Sequence, residues 1–149
     1  MTELLNSIKA EVDSVRPGVK LSASVHANRT LAEIHWMQKW SDWLRDGLLD
    51  FVVPMNYRSG TEFSGNTEDA ASHAWNRHIY MGQGTWMLTG ENAAEQLAEV
   101  RNRDYPGFVL YSYAYLLGER SGNRQLMSAL TSSVISESAA VPTMPWKSR

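Results

Sequence analysis

Four short apolar runs alternate along the chain with longer stretches in which apolar side chains recur every three or four positions. The runs begin at residues 19, 50, 78 and 107, so their starts lie 31, 28 and 29 residues apart. A short run of this kind predicts a buried strand, whereas the longer periodic stretches predict helices. The pattern therefore predicts four consecutive strand-plus-helix units, which is typical of an α/β fold with a parallel sheet.

The same pattern gives bounds for the helices and for the domain. Helices are predicted at residues 4–15, 30–47, 91–103 and 123–135. Thr30 and Glu33 have the spacing of a capping box at the start of the second helix. The polar stretch 58–72, rich in Gly and Ser, predicts the longest loop of the chain. Residues 1–136 thus form one predicted domain, and residues 137–149, which contain two prolines and no periodicity, form a tail or linker.

Polar and aromatic residues follow each predicted strand. In a parallel sheet with outer helices, all strands end at the same edge, and ligands bind there. The stretch "DFVVPMNY" at residues 50–57 is an example, because an apolar run leads to a proline, an amide and a phenol. We expect a pocket rim formed by His26, Asn28, Asn56, Tyr57, Gln83, Ser112 and Tyr113.

Composition excludes several classes of function. The 149 residues carry a net charge of −2, so neither nucleic acid nor an anionic membrane is an expected partner. The chain has no cysteine, which excludes disulfides, thiolate metal sites and cysteine nucleophiles. The first helix is amphipathic and no run approaches about 20 apolar residues, so we expect neither a signal peptide nor a membrane span. The compartment stays open.

Five segments resemble the glycoside-hydrolase-like family-ten proteins, a group of bacterial glycosidase-like proteins with a (β/α)8 barrel. "SDWLRDGLLDFVVPMNY" is similar to the region of their sixth strand, where a helix with two tryptophans leads into a strand ending in a proline, an amide and an aromatic residue. "VKLSASVHAN", "IYMGQGTWML" and "GFVLYSYAYL" resemble the fifth, seventh and eighth strands. "VPTMPWK" resembles the segment that follows the barrel.

The resemblance implies that the chain is the C-terminal half of a TIM barrel. The family's acidic strand-end residues are expected earlier, around strand four, and this sequence begins on the helix that would follow that strand. Four parallel strands with outer helices would leave one sheet face and two edges unpaired. We therefore expect a homodimer, in which two copies close an eight-stranded barrel with two-fold symmetry.

Candidates for catalysis are few. Glycoside hydrolysis usually needs two carboxyl groups about 5–9.5 Å apart, and none of the four predicted strand ends carries one. His26 is the best acid–base candidate because imidazole titrates near neutral pH; a hydrogen-bonded histidine without a catalytic role is the alternative. Glu62 is a second catalytic candidate, and a solvated loop residue is its alternative. The other carboxylates considered are Glu33, Glu68, Asp69, Glu91 and Glu119.

Carbohydrate contacts are expected from polar and aromatic residues of the rim. The predicted contacts are Asn28, Asn56, Tyr57, Gln83, Trp86 and Tyr113. Gly82 and Gly84 would give Gln83 and Trp86 space to approach the pocket. A dinucleotide-binding loop is disfavoured, because Met87 occupies the position of its third glycine.

Neither a metal ion nor another cofactor is expected. His73 and His78 have no acidic residue nearby at the spacing of metal ligands. Aromatic residues are nevertheless abundant, with six Trp and six Tyr. We predict that Trp36, Trp40 and Trp43 pack a helix against the sheet.

Two classes of function remain. The first is a carbohydrate-related hydrolase with weak or promiscuous activity at a barrel mouth shared by two copies. The second is a non-catalytic scaffold for carbohydrate binding or assembly, derived from a truncated glycosidase barrel. The polar, aromatic mouth favours the first class, and the lack of a strand-end carboxyl group favours the second.

Overall fold

The computed structural model contains one sheet of four parallel strands. They are β1 (Ser22–His26), β2 (Phe51–Met55), β3 (His78–Gly84) and β4 (Gly107–Tyr111). Their order in the sheet is that of the chain, β1-β2-β3-β4, and all three pairings are parallel. The structure describes residues 1–117, 124–133, 135–136 and 138–147, so Glu119 lies outside the described residues. The prediction of an α/β fold with four parallel strands is confirmed.

Helices connect the strands and cover one face of the sheet. They are α1 (Thr2–Val15), α2 (Arg29–Trp36), α3 (Trp40–Arg45), α4 (Gly60–Ser72), α5 (Gly90–Asn102), α6 (Tyr113–Leu117) and α7 (Arg124–Ser132). A 3₁₀ turn, Thr85–Met87, follows β3. None of the helices in the described ranges is long and apolar enough to cross a bilayer.

The single helix predicted at residues 30–47 is wrong, because the chain forms two helices there. Met37 adopts a left-handed conformation, with φ 54°, and this ends α2. The N-terminal cap of α2 is Asn28 and not Thr30. The Asn28 Oδ1 accepts a hydrogen bond from the backbone N–H of Leu31 at 2.9 Å, as a helix cap requires.

The loop predicted at residues 58–72 is wrong as well, because most of these residues form α4. This helix buries Phe63, Thr67 and Ala70, whose spacing places them on one helical face. Asn66 on the same helix is also buried. Polar and small residues on the buried face hide the helical period from an analysis based on apolar residues.

Successive strand side chains point to opposite faces of the sheet. Those on the helix-covered face are almost fully buried: Val25, Val52, Ile79 and Met81. Those on the other face include exposed side chains at Ser24, Met55, Val109 and Tyr111. Within the described residues β1 and β4 each pair with one strand only. This arrangement is consistent with half of a barrel, with one open face and two open edges.

Two of the three tryptophans on α2 and α3 pack as predicted. Trp40 and Trp43 are buried in the core between the helices and the sheet. The prediction for Trp36 is wrong, because this side chain is 57% exposed. Trp36 is the last residue of α2, and its ring lies against His26, with 6.3 Å between the ring centroids and 19° between the planes.

The C-terminal tail folds back onto the N-terminal end of the sheet. Trp146 donates a hydrogen bond from Nε1 to the Asp50 Oδ1 at 3.1 Å, and its ring meets that of His78 edge-on at 4.8 Å. The Lys147 Nζ lies 3.4 Å from a carboxylate oxygen of Asp13 and 3.8 Å from one of Asp50. The tail therefore leaves the opposite end of the sheet, where ligands are expected, uncovered by these contacts.

Candidate functional site

Strand register brings three strand ends to the same height at the C-terminal end of the sheet, which we call the mouth. Gly84 is the register partner of Tyr111, and Met55 is the register partner of Gly82. Tyr57 follows Met55 by two residues and Gly84 follows Gly82 by two residues, so Tyr57 comes level with Gly84. Because residues two apart in a strand share a face, Tyr57, Gly84 and Tyr111 form a row on the open face.

Four aromatic side chains meet above this row and form the aromatic cluster: Tyr57, Trp86, Tyr111 and Tyr115. The Trp86 ring lies 4.8 Å from that of Tyr57 and 5.9 Å from those of Tyr111 and Tyr115. Tyr57 and Tyr111 are nearly parallel at 6.4 Å. Trp86, Tyr111 and Tyr115 are between 41% and 57% exposed, so the cluster presents ring surface to solvent. Burial, together with Tyr111, raises the pKa of Tyr57, so its hydroxyl stays protonated at neutral pH.

Small residues at the end of β3 hold the cluster in place. A Cβ atom at Gly84 would lie 2.8 Å from the indole of Trp86, so only glycine lets this ring fold over the sheet end without a shift. The Thr85 hydroxyl accepts a hydrogen bond from the backbone N–H of Ser112 at 3.1 Å, and it also lies 3.2 Å from the Tyr111 carbonyl oxygen. The prediction that Gly84 gives space to Trp86 agrees with this geometry.

His26 ends β1 with its ring at the mouth. Its Nδ1 lies 3.2 Å from the carbonyl oxygen of Asn28, and because a carbonyl only accepts, Nδ1 carries the proton in this contact. The other ring nitrogen, Nε2, is then the basic one, as a general base requires. The Trp36 ring stacks on His26 and restricts its orientation.

A cleft of about 350 Å³ beside the mouth brings two other predicted site residues together. Asn28 and Glu62 both line it, with the ion pair between Arg29 and Asp69. The Glu62 carboxylate lies 3.0 Å from the Arg58 guanidinium, and both side chains are more than half exposed. Because this cleft lies between α2 and α4, Glu62 belongs to the helix layer.

Asn56 and Gln83 point away from the open face into the layer between the sheet and the helices. The Asn56 Nδ2 donates to the Phe63 carbonyl oxygen at 3.0 Å, and its Oδ1 accepts from Asn66 at 3.1 Å. Gln83 is fully buried and donates from Nε2 to Gln96 at 3.0 Å. Both side-chain amides therefore form hydrogen bonds with other residues of the protein, and their proposed contacts with a carbohydrate stay predictions.

The mouth also contains aromatic residues that the sequence analysis did not predict there. Tyr111 and Tyr115 belong to the aromatic cluster, and Trp36 covers His26. The predicted contact Tyr113 begins α6 next to this cluster and is 76% exposed. The alternation of Val109 and Tyr111 along β4 is the signal that could have placed Tyr111 on the open face.

The described part of the mouth is poor in acidic groups. None of the residues that directly follow the four strands in the described ranges is a carboxylate. Those ranges also contain no group of three or more His, Cys, Asp and Glu side chains placed to hold a metal ion. The chemistry available there is ring stacking, phenol hydrogen bonding and one imidazole base.

Fold and site together define an α/β protein with a parallel sheet and an aromatic mouth at its strand ends. The family model for glycosyl hydrolase-like 10 matches residues 1–106 of the 149. The protein belongs to this family, and the resemblance noted in its sequence is confirmed over the matched residues, which end before β4. Comparison with curated proteins and with solved structures gave no significant match. Family membership indicates a glycosidase-like fold.

Proposed function

We propose that this protein is a glycosidase-like barrel fragment whose aromatic cluster binds a carbohydrate. The exposed cluster at the strand ends is the observation that supports this function. The faces of a sugar ring that carry C–H groups pack well on aromatic rings, and neighbouring tyrosine hydroxyls donate hydrogen bonds to its oxygens. A mouth built on rigid strand ends orients such a ligand better than a loop does.

Hydrolysis in this proposal is weak or promiscuous and depends on His26. A glycosidase usually flanks the bond with two carboxyl groups, and Glu62 lies in an ion pair on the helix layer. The basic Nε2 of His26 is suited to activate water against a reactive ester or an activated glycoside. The shared mouth of two copies would place two such imidazoles at one site.

Affinity electrophoresis on gels that contain xylan, hydroxyethyl cellulose or soluble starch tests the binding proposal. We expect retardation on at least one polymer and its loss in Trp86→Ala. Trp75→Ala is the matched control, because Trp75 is also about half exposed but lies outside the cluster, where it donates to Ser41. Equal retardation of both variants, or no retardation of the unaltered protein on any polymer, would overturn the proposal.

The second candidate function is a non-catalytic scaffold for carbohydrate binding or assembly. The lack of carboxylates at the described strand ends favours it. Turnover of 4-nitrophenyl glycosides and 4-nitrophenyl acetate separates the two functions. A catalytic role predicts that His26→Ala removes most of the turnover while His35→Ala, on the exposed side of α2, keeps it. Turnover that survives in His26→Ala would exclude His26 as the base of the reaction, and no turnover at all in the unaltered protein would leave the non-catalytic scaffold.

A further inference from the structure

Exposed apolar side chains gather beside the β1 edge of the sheet. Helix α1 carries an apolar stripe, yet none of its residues is buried. Leu4 and Ile8 of this stripe are 59% and 43% exposed. They line an apolar cleft of about 170 Å³ between α1 and β1. Ile34 and Trp36 of α2 add exposed apolar surface, and large exposed apolar patches mark interaction surfaces.

Some backbone groups of β1 point away from β2, toward the unpaired edge of the sheet. The N–H of His26 donates to the side-chain Oε1 of Gln38 at 2.8 Å, not to a strand. Because backbone groups two residues apart in a strand point the same way, the N–H of Ser24 faces this edge too. Gln38 therefore occupies one position of a ladder that a further strand would continue.

The β4 edge is apolar as well. Val109 and Tyr111 are exposed on the strand, and Tyr113 and Leu117 are exposed on α6, which follows it. The two edges are complementary, because β1 forms one edge of the parallel sheet and β4 forms the other. A strand order that runs from β1 to β4 can be continued in parallel by another β1 at the β4 edge.

We propose that the partner of both edges is a second copy of this chain. Strand β4 of each copy pairs in parallel with β1 of the other, so that one type of seam, used twice about a two-fold axis, closes eight strands. An unrelated protein would have to offer both edges at the correct separation, which a second copy does by construction. Helix α1 contains no buried residue and is bonded to α3 through the Trp43 Nε1, which donates to the Thr2 Oγ1 at 2.9 Å.

The exposed aromatic side chains supply a large part of the surface that a stable pair needs. An aromatic side chain has about 150–250 Å² of surface, so the exposed parts of Trp36, Tyr111 and Tyr113 provide roughly 300–450 Å² per copy. A stable interface buries roughly 800 Å² per partner. The exposed aliphatic side chains of α1 and α6 and the two backbone edges would add to this surface.

Closure would also complete the mouth. His26 and Trp36 lie at the β1 end of the seam, and Tyr111 and Tyr113 lie at the β4 end. Each seam would therefore bring the imidazole of one copy beside the tyrosines of the other. This interface does not depend on carbohydrate binding, because it follows from the edges alone.

Size-exclusion chromatography with light scattering tests the proposal on the 149-residue chain. The expected mass is about 34 kDa, twice the 16.8 kDa of one chain. A mass of one chain, or of more than two, would overturn it. Failure here leaves the carbohydrate proposal standing, since gel retardation requires only the aromatic cluster of one copy.

Two substitutions test the location of the interface. Ile8→Lys places a charge on the exposed stripe of α1 and should at least halve the dimer fraction, while Asn6→Lys adds the same charge at an exposed polar position of the helix and should leave it unchanged. Ser24→Pro removes the N–H that faces the open edge, a change that edge strands tolerate. A dimer that persists in both Ile8→Lys and Ser24→Pro overturns the seam; circular dichroism verifies that each variant is folded.

Discussion

Replacing Asn56 with alanine tests whether this residue holds the fold together or binds a ligand. Asn56 is 1% exposed, and its side chain lies between β2 and α4. Its Nδ2 donates to the Phe63 carbonyl oxygen at 3.0 Å and to the Thr67 Oγ1 at 3.2 Å. Its Oδ1 accepts from the Asn66 Nδ2 at 3.1 Å. The substitution removes all three bonds and leaves the buried Asn66 amide without this acceptor.

The expected loss of stability is large for a single residue. Each hydrogen bond contributes about 0.5–1.5 kcal/mol net, and a buried donor left without a partner costs about 1–3 kcal/mol. The Phe63 carbonyl keeps a hydrogen bond from Thr67 at 2.8 Å, which limits the loss on that side. We therefore expect Asn56→Ala to lower the free energy of unfolding by about 2–4 kcal/mol, which corresponds to a Tm lower by roughly 5–15 °C.

Urea unfolding, followed by circular dichroism, measures this loss. Asn92→Ala is the control, because Asn92 is exposed near the start of α5 and only its backbone N–H is bonded to the helix cap. Its expected change is within about 0.5 kcal/mol. An Asn56→Ala protein with unchanged urea midpoint but lost retardation on polysaccharide gels would refute this reasoning and restore Asn56 as a ligand contact.

Three further predictions concern other contacts of the fold. Asp50→Asn removes the charge that faces Lys147 and should cost about 1–3 kcal/mol of unfolding free energy, measured by urea unfolding beside Asp46→Asn, which changes an exposed charge. Tyr105→Phe removes the hydroxyl donor to an α4 carbonyl and should cost about 0.5–1.5 kcal/mol in the same assay. Burial lowers the pKa of His78, so the unfolded chain binds its proton first and stability should fall as pH drops below about 6.5. His78→Gln should flatten that decline, and no difference from the unaltered protein between pH 7 and 5 would contradict it.

The strands and most helices could be predicted because their signals are local. A run such as Phe51, Val52 and Val53 predicts a strand, of which Val52 is buried under the helices, and the spacing of such runs predicts the topology. Helix α4 lacked this signal, since Asn66 and Thr67 occupy its buried face and satisfy their polar groups by hydrogen bonds. The break at Met37 depends on a left-handed backbone conformation that an apolar pattern does not encode.

The candidate site residues lie at the end of the sheet where the sequence predicts them, but only some of them lie on the open face. Residues next to each other at a strand end point in opposite directions, so Asn56 bonds to α4 while Tyr57 joins the aromatic cluster. The same alternation separates the buried Gln83 from the open-face Gly84. The apolar residues Val52 and Ile79 indicate which alternate positions of β2 and β3 face the helices. They place Asn56 and Gln83 on that face only if the alternation is assumed to continue to the end of each strand and beyond it.

Carbohydrate binding should require one copy of the chain, whereas the proposed hydrolysis should require two copies. A variant that does not dimerise can therefore separate the two activities. Ring stacking requires only the cluster around Trp86, which one copy contains. A pair of imidazoles on facing sides of the mouth, one as acid and one as base, requires a second copy, because His26 is the one histidine at the mouth among the described residues of one chain. A monomeric Ile8→Lys protein should therefore keep polysaccharide retardation and lose at least tenfold in turnover of 4-nitrophenyl substrates. Turnover that persists in a proven monomer would show that one copy supplies the whole reaction, and the shared mouth would then have no part in it.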